Sequence, residues 1–201
     1  MSPALWSCPL IALARHASST WTGTRYAGRS DPPLSEAGKL EAAALAARVA
    51  RAGILAPEGS VVVTSPLARA RDTARAVAST AGRRLVVSDD WAEVDFGELE
   101  GLTFDEARTA WPDGIERLAA GDAALDWPGG DAHADVTARV ARGLDQVRSV
   151  PAPVLVVAHG FVLRAALALL AVRPGARTDA ALRPGQLIVL RPDGERWRVG
   201  R

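Results

Sequence analysis

Four short apolar runs constrain this chain more than any other feature: Leu10-Ile11-Ala12-Leu13-Ala14, Val61-Val62-Val63-Thr64, Leu85-Val86-Val87 and Val154-Leu155-Val156-Val157-Ala158. None alternates apolar with polar residues. Each is too short for a stable buried helix, so they read as strands, the first of them buried. Longer Ala-rich segments with charges on one side separate them. Ser35 to Ala52 predicts a helix capped by Ser35 and stopped by Gly53. Ser65-Pro66 leads into a helix from about Leu67 to Ala81, with Pro66 suited to the first turn and Gly82 as the stop. Thr103 to Trp111, Asp131 to Val150 and Phe161 to Val172 also read as helices. Gln186 to Leu190 and Arg196 to Val199 read as a hairpin around Asp193-Gly194. Strands alternating with helices predict an α/β domain with a mainly parallel sheet. At 201 residues one domain is expected over 1–201, with 102–134 covering the mouth of its site.

Composition removes several classes. A formal net charge of +1 offers no polycation for nucleic acid or membrane. The single cysteine, Cys8, excludes an internal disulfide and a cysteine-rich metal site. No apolar run approaches the roughly 18 residues needed to span a bilayer. No basic residue precedes the apolar stretch Pro9 to Ala14, as a signal peptide would require. A cytoplasmic enzyme is the simplest expectation. Its expected partners are a small-molecule substrate and, at most, a second copy of the chain.

Parallel sheets bind ligands at the carboxyl ends of their strands. Three predicted strand ends carry reactive residues: Arg15-His16, Ser65 with Arg69, and His159-Gly160. His159 opens a helix, where free N–H groups and the dipole favour an anion. Arg15, Arg69 and Arg25 add fixed charge whose donors match phosphate oxygens. A neutral imidazole attacks phosphorus competently, and the departing alkoxide needs a proton from a carboxylic acid. Glu93 after the third strand is the first candidate, with Asp95, Glu98 and Glu100 as rivals. Such chemistry requires no metal and no cofactor.

Taken in order, these segments resemble the histidine phosphatase superfamily, which includes the cofactor-dependent phosphoglycerate mutases. The blocks are Leu13-Ala14-Arg15-His16-Ala17; Arg25-Tyr26-Ala27-Gly28 with Asp31, Pro33-Leu34 and Gly38; Ser65-Pro66-Leu67-Ala68-Arg69-Ala70-Arg71-Asp72-Thr73-Ala74; Glu93-Val94-Asp95-Phe96-Gly97-Glu98-Leu99-Glu100-Gly101; and Val156-Val157-Ala158-His159-Gly160. The resemblance implies a three-layer α/β/α sandwich without a metal. It implies His16 as the phosphorylated nucleophile, Arg15, Arg69 and His159 as the phosphate clamp, and Glu93 as the proton donor. Around them, Ser19, Thr22, Arg25, Ala27, Gly28 and Gly160 are the expected substrate contacts.

The chain departs from the family pattern at the rim. Ala17 stands in place of the usual glycine, and its methyl is expected to crowd the phosphate pocket slightly. Thr22 replaces an asparagine, Ala27 a glutamine and Ser18 a common glutamate, while Asp131 ends a Pro-Gly-Gly-Glu-like block. Gly160 after the second histidine disfavours the acid phosphatase and phytase branch, which carries aspartate there. The compact length and the acidic loop resemble the small phosphatases, and the Tyr26-Ala27-Gly28 turn resembles α-ribazole phosphatases and broad-specificity relatives. The resemblance leaves two alternatives: a phosphoglycerate mutase-type transferase, and a member without catalysis that acts by binding. Trp91, Trp111 and Trp127 read as packing anchors, the last two with stacking on substrate as the alternative. Trp21 suits either role, and His133 reads as a rim residue.

Overall fold

In a computed structural model of the chain, the described residues are 8–122, 124–170, 182–194 and 196–200. Six strands form one sheet in the order β3-β2-β4-β1-β5-β6. They are β1 (Ile11–Arg15), β2 (Val61–Thr64), β3 (Arg84–Val87), β4 (Val154–Ala158), β5 (Leu187–Asp193) and β6 (Arg196–Val199). The β3-β2-β4-β1 half is parallel, whereas β5 and β6 run antiparallel. The sheet is therefore mainly parallel, with the predicted hairpin closing one edge. β5 extends beyond the expected Leu190 because its last residues pair only with β6, which leaves room for Pro192.

Alternate side chains of the central strands feed two cores, as the period of two requires. Ile11, Leu13, Val61, Val63, Val154 and Val156 pack with residues of α5 (His133–Ser149) and α6 (Gly160–Leu169). Ala12, Ala14, Val62, Leu155 and Val157 pack with α1 (Glu36–Arg51) and α2 (Ala68–Ala81). Helices thus cover both faces, giving the three-layer α/β/α sandwich. Ser35 caps α1 by accepting from the Gly38 N–H at 3.0 Å, and Gly82 closes α2 in the left-handed region.

Two departures lie between β3 and α5. A helix absent from the sequence reading, α4 (Pro112–Ala119), follows α3 (Phe104–Ala110), with Pro112 in its first turn. Gly114 permits it: a Cβ there would lie 2.0 Å from the Trp111 ring. α5 starts at His133 rather than Asp131, because the Asp131 carboxylate accepts from the Asp95 N–H at 3.1 Å and from Arg139 at 3.1 Å. The expected end of the β4-following helix, at Val172, lies outside the described residues. No helix among the described residues is long and apolar enough to cross a membrane.

Candidate active site

The sheet register itself brings the two histidines together. Arg15 of β1 pairs with Ala158 of β4, so His16 and His159 are the next residues on adjacent parallel strands. Their ring centroids stand 5.0 Å apart. Thr64 of β2 pairs with Val157 on the other side of β4. Ser65 consequently arrives beside His159, its Oγ 2.7 Å from Nε2. The chain passes from β1 outward to β2 and β3 and returns at β4 between β2 and β1, which makes this strand end the switch point of the sheet.

His16 Nδ1 lies 2.7 Å from the carbonyl of Ala17. An imidazole nitrogen facing a carbonyl must carry the proton, so Nε2 keeps its lone pair. His16 is 5% exposed, and burial drives its pKa well below the usual histidine value, with the positive charges of Arg69 and Arg15 adding to the effect. It is a neutral imidazole at neutral pH. The backbone beyond it is pinned: the Ala17 N–H donates to Thr73 Oγ1 at 3.0 Å, and Ser18 gives its N–H and hydroxyl to Glu41. Ala17 is buried but does not line the cavity. Its methyl therefore packs below the site instead of crowding the phosphate pocket.

Arg69 is buried by the turn that follows the nucleophile loop. Its guanidinium donates to the carbonyls of Ser30 (2.8 Å), Ala27 (2.9 Å) and Gly28 (2.9 Å). Of five guanidinium N–H donors, three are used and two remain. Ala27 and Gly28 thus act through backbone carbonyls. Arg15 donates to the Leu182 carbonyl at 2.8 Å and keeps a buried Nε–H without a partner among the described residues. Buried donors left open beside a cavity are what an anionic ligand fills.

Glu93 is 5% exposed and sits at the N-terminus of α6. Its carboxylate accepts from the N–H groups of Val94 (3.0 Å), Phe161 (3.3 Å) and Val162 (3.4 Å). His159 gives that helix no side-chain cap, so Glu93 supplies it from another loop. Two N–H groups expected to hold the ligand are thereby occupied by this carboxylate. Burial raises the Glu93 pKa despite the Val94 N–H and the Arg69 charge, which oppose it. Glu100, a rival at the sequence level, has a different task. It accepts from the N–H groups of Gly28, Arg29, Ser30 and Phe96. Burial raises its pKa, but hydrogen bonds prevail, first that with the Ser30 side chain and then those from the Arg29, Phe96 and Ser30 N–H groups, and leave it below the ordinary glutamate value.

These residues border a cavity of about 320 Å³. Arg15, His16, Arg69 and Glu93 lie at its base, with Ser19, Thr22, Arg25, Ala27 and Gly160 around them. Gly28 and His159 do not line it. His159 is fully buried behind His16, and its Nδ1 lacks a partner among the described residues; burial, then the neighbouring His16, Arg69 and Arg15, holds its pKa well below the usual value. Thr22 Oγ1 accepts the Ser19 N–H at 2.8 Å and lies 3.2 Å from Ser19 Oγ, so this hydroxyl pair has an O–H to offer a ligand. Trp21 lines the cavity, whereas Trp91, Trp111 and Trp127 do not. Trp127 packs instead against Phe96, with centroids 4.5 Å apart. His133 opens α5 away from the cavity and lies 3.4 Å from the Thr137 hydroxyl.

The family profile of the histidine phosphatase superfamily (branch 1) matches residues 11–201. The chain belongs to the histidine phosphatase superfamily. A bifunctional protein of Mycobacterium tuberculosis is 41% identical over 152 residues, which are 74% of this chain and 40% of that protein. The chain therefore spans well under half the length of this relative. Phosphoserine phosphatase 1 of Hydrogenobacter thermophilus is 33% identical over 158 residues, covering 77% of this chain and 72% of the relative. Among solved structures, a mycobacterial glucosyl-3-phosphoglycerate phosphatase in complex with VO3 superposes with a TM-score of 0.80 at 29% identity, covering 96% of this chain and 97% of the other. A phosphoglycerate mutase-like protein of Arabidopsis thaliana and a 2,3-bisphosphoglycerate-dependent phosphoglycerate mutase of Methylobacterium sp. are among further relatives.

As a histidine phosphatase superfamily member, the chain carries one set of cavity residues that its motifs did not reveal. Phe96, Phe104, Leu118, Phe161 and Arg164 line the outer wall. Phe104 and Leu118 come from α3 and α4, inside 102–134. A usable signal existed for Arg164, which follows Gly160 by one helical turn and so shares its face of α6.

Proposed function

We propose that this chain is a metal-independent phosphomonoesterase acting on a small phosphorylated metabolite through a phosphohistidine on His16. The observation that carries the reading is the Nδ1 contact with the Ala17 carbonyl at 2.7 Å, which reserves Nε2 for the cavity. In the first step Nε2 forms a bond to phosphorus, the phosphorus–oxygen ester bond breaks, and the leaving oxygen takes the proton of Glu93. In the second, water gives a proton to the Glu93 carboxylate and its oxygen bonds to phosphorus. The phosphorus–nitrogen bond then breaks, phosphate departs, and the starting protonation state is restored. Arg15 and Arg69 stabilise charge on the phosphoryl oxygens throughout, while His159, held by Ser65, packs its ring beside His16.

The short stretch of chain between the 93–101 loop and His159 favours net hydrolysis over transfer to a second substrate oxygen. A cavity of about 320 Å³ takes a phosphoryl group together with an organic body, so esters of the α-ribazole 5′-phosphate type and a broader range of metabolites both fit. Exchange of His16 tests the assignment. His16→Ala is expected to reduce phosphate release from 4-nitrophenyl phosphate to background while the protein still melts cooperatively. Turnover close to wild type would remove His16 from the mechanism. Interconversion of phosphoglycerates without net phosphate release would instead favour a mutase.

A further inference from the structure

Among the described residues four arginines line the cavity, and three of them are already engaged. Arg15 donates to the Leu182 carbonyl, Arg69 to three loop carbonyls, and Arg25 to the Gly101 carbonyl at 2.7 Å with Glu106 3.9 Å away. Arg164 differs. Among the described residues its one partner is the Phe161 ring, whose centroid lies 5.9 Å from Cζ. That stacking, on a rigid helix, holds a guanidinium at the cavity wall with its donors uncommitted.

Charge bookkeeping gives this cation a purpose. Arg15 and Arg69 face the phosphoryl dianion at the base, Arg69 with Asp31 3.8 Å away as well, and Arg25 has Glu106 3.9 Å away. Among the described residues Arg164 has no acidic partner, and it stands on an otherwise apolar surface of Phe96, Phe104, Leu118 and Phe161. A guanidinium in that setting pairs best with a carboxylate, which it can grip with two parallel hydrogen bonds. Position fits as well. A Cβ placed on Gly160 would lie 3.9 Å from Glu93 Oε2, next to where the leaving oxygen must collect its proton. Arg164 follows Gly160 by four residues, about 6 Å along the helix axis. A small ring or short chain spans that distance.

We infer that Arg164 is a specificity residue, which binds a carboxylate carried by the leaving group and so selects acidic phosphomonoesters with a flat apolar spacer. This inference rests on the phosphatase reading above. The test compares kcat/KM for phenyl phosphate with the 2-, 3- and 4-carboxyphenyl phosphates, in wild type, Arg164→Gln and Arg164→Glu. Wild type is expected to favour at least one carboxylated isomer about 10-fold or more, chiefly through KM, in keeping with a charged hydrogen bond. The ratio falls to near one in Arg164→Gln and below one in Arg164→Glu. A variant-free arm pairs each carboxyphenyl ester with its neutral carbamoylphenyl analogue in wild type, where the carboxylate must again win. A wild-type ratio near one for all isomers, or a preference that persists in Arg164→Gln, overturns the inference while leaving the phosphatase reading intact. Failure of wild type to release phosphate from any of these esters, phenyl phosphate included, overturns both.

Discussion

His16 and Glu93 have opposite protonation needs, and their surroundings serve both. Burial and two arginines keep the His16 imidazole neutral, and burial favours the protonated form of Glu93. The acid's contribution depends on the leaving group. Glu93→Gln is expected to slow hydrolysis of an alkyl phosphate by roughly 10²- to 10⁴-fold. It slows 4-nitrophenyl phosphate far less, because nitrophenolate leaves without a proton. Equal losses on both substrates would assign Glu93 a purely structural role. In the pH profile of the slow step, Glu93 governs the alkaline limb, since activity falls once its proton is gone. Arg15, His16, Arg69 and His159 were legible in the sequence because they stand next to strand ends or in an ordered motif. The apolar wall was not, since Phe104 reaches the cavity from α3 and Leu118 from α4, whose packing through Gly114 on Trp111 is a tertiary contact.

At the scale of elements, two loops and a helix start are tied together by carboxylates. Glu100 gathers four backbone N–H groups and so joins the 28–30 turn to the 96–101 loop, and that turn supplies the carbonyls which aim Arg69. Gly28 is where the two loops touch: a Cβ there would lie 2.1 Å from the Val94 carbonyl oxygen and 2.2 Å from Glu100 Oε1. Gly28→Ala is therefore expected to destabilise the protein by about 1–3 kcal/mol. It should also raise KM as Arg69 shifts, both readable by urea unfolding and steady-state kinetics. A variant as stable and active as wild type would show that the loops are not coupled. The alternation of strands and helices was readable because burial of β1, β2 and β4 on two faces writes itself as apolar runs, whereas the partly exposed edge strand β3 was readable by its apolar and β-branched residues. The cap that Glu93 provides for α6 was hidden, as it joins residues 68 and 69 positions apart.

For the whole molecule, buried titratable groups make stability depend on pH. His16 and His159 have folded pKa values below the 6.5 of a free imidazole. As pH falls through 6.5 the unfolded chain gains protons that the folded one refuses, so stability present above that pH is lost below it. The limiting slope is about 1.4 kcal/mol per pH unit for each histidine. Glu93 acts in the opposite sense, removing stability as pH rises from 4.5 towards its raised folded value, but it is one group against two. Urea unfolding is thus expected to show lower stability at pH 5.5 than at 7.5, with a shallower dependence in His159→Gln; a flat wild-type profile would contradict the buried neutral pair. Because Arg15 and Arg69 supply the positive charge at the base of the cavity, prolonged chelation should leave phosphate release unchanged, and a large loss restored by a divalent ion would refute metal independence. The central claim is covalent, and one experiment addresses it directly. Wild type mixed with a reactive phosphomonoester and quenched within the first turnovers should carry one acid-labile, base-stable phosphoryl group, mapped by peptide mass spectrometry to His16. Steady turnover without any phosphorylated enzyme, or with the phosphoryl group on another residue, would contradict the account.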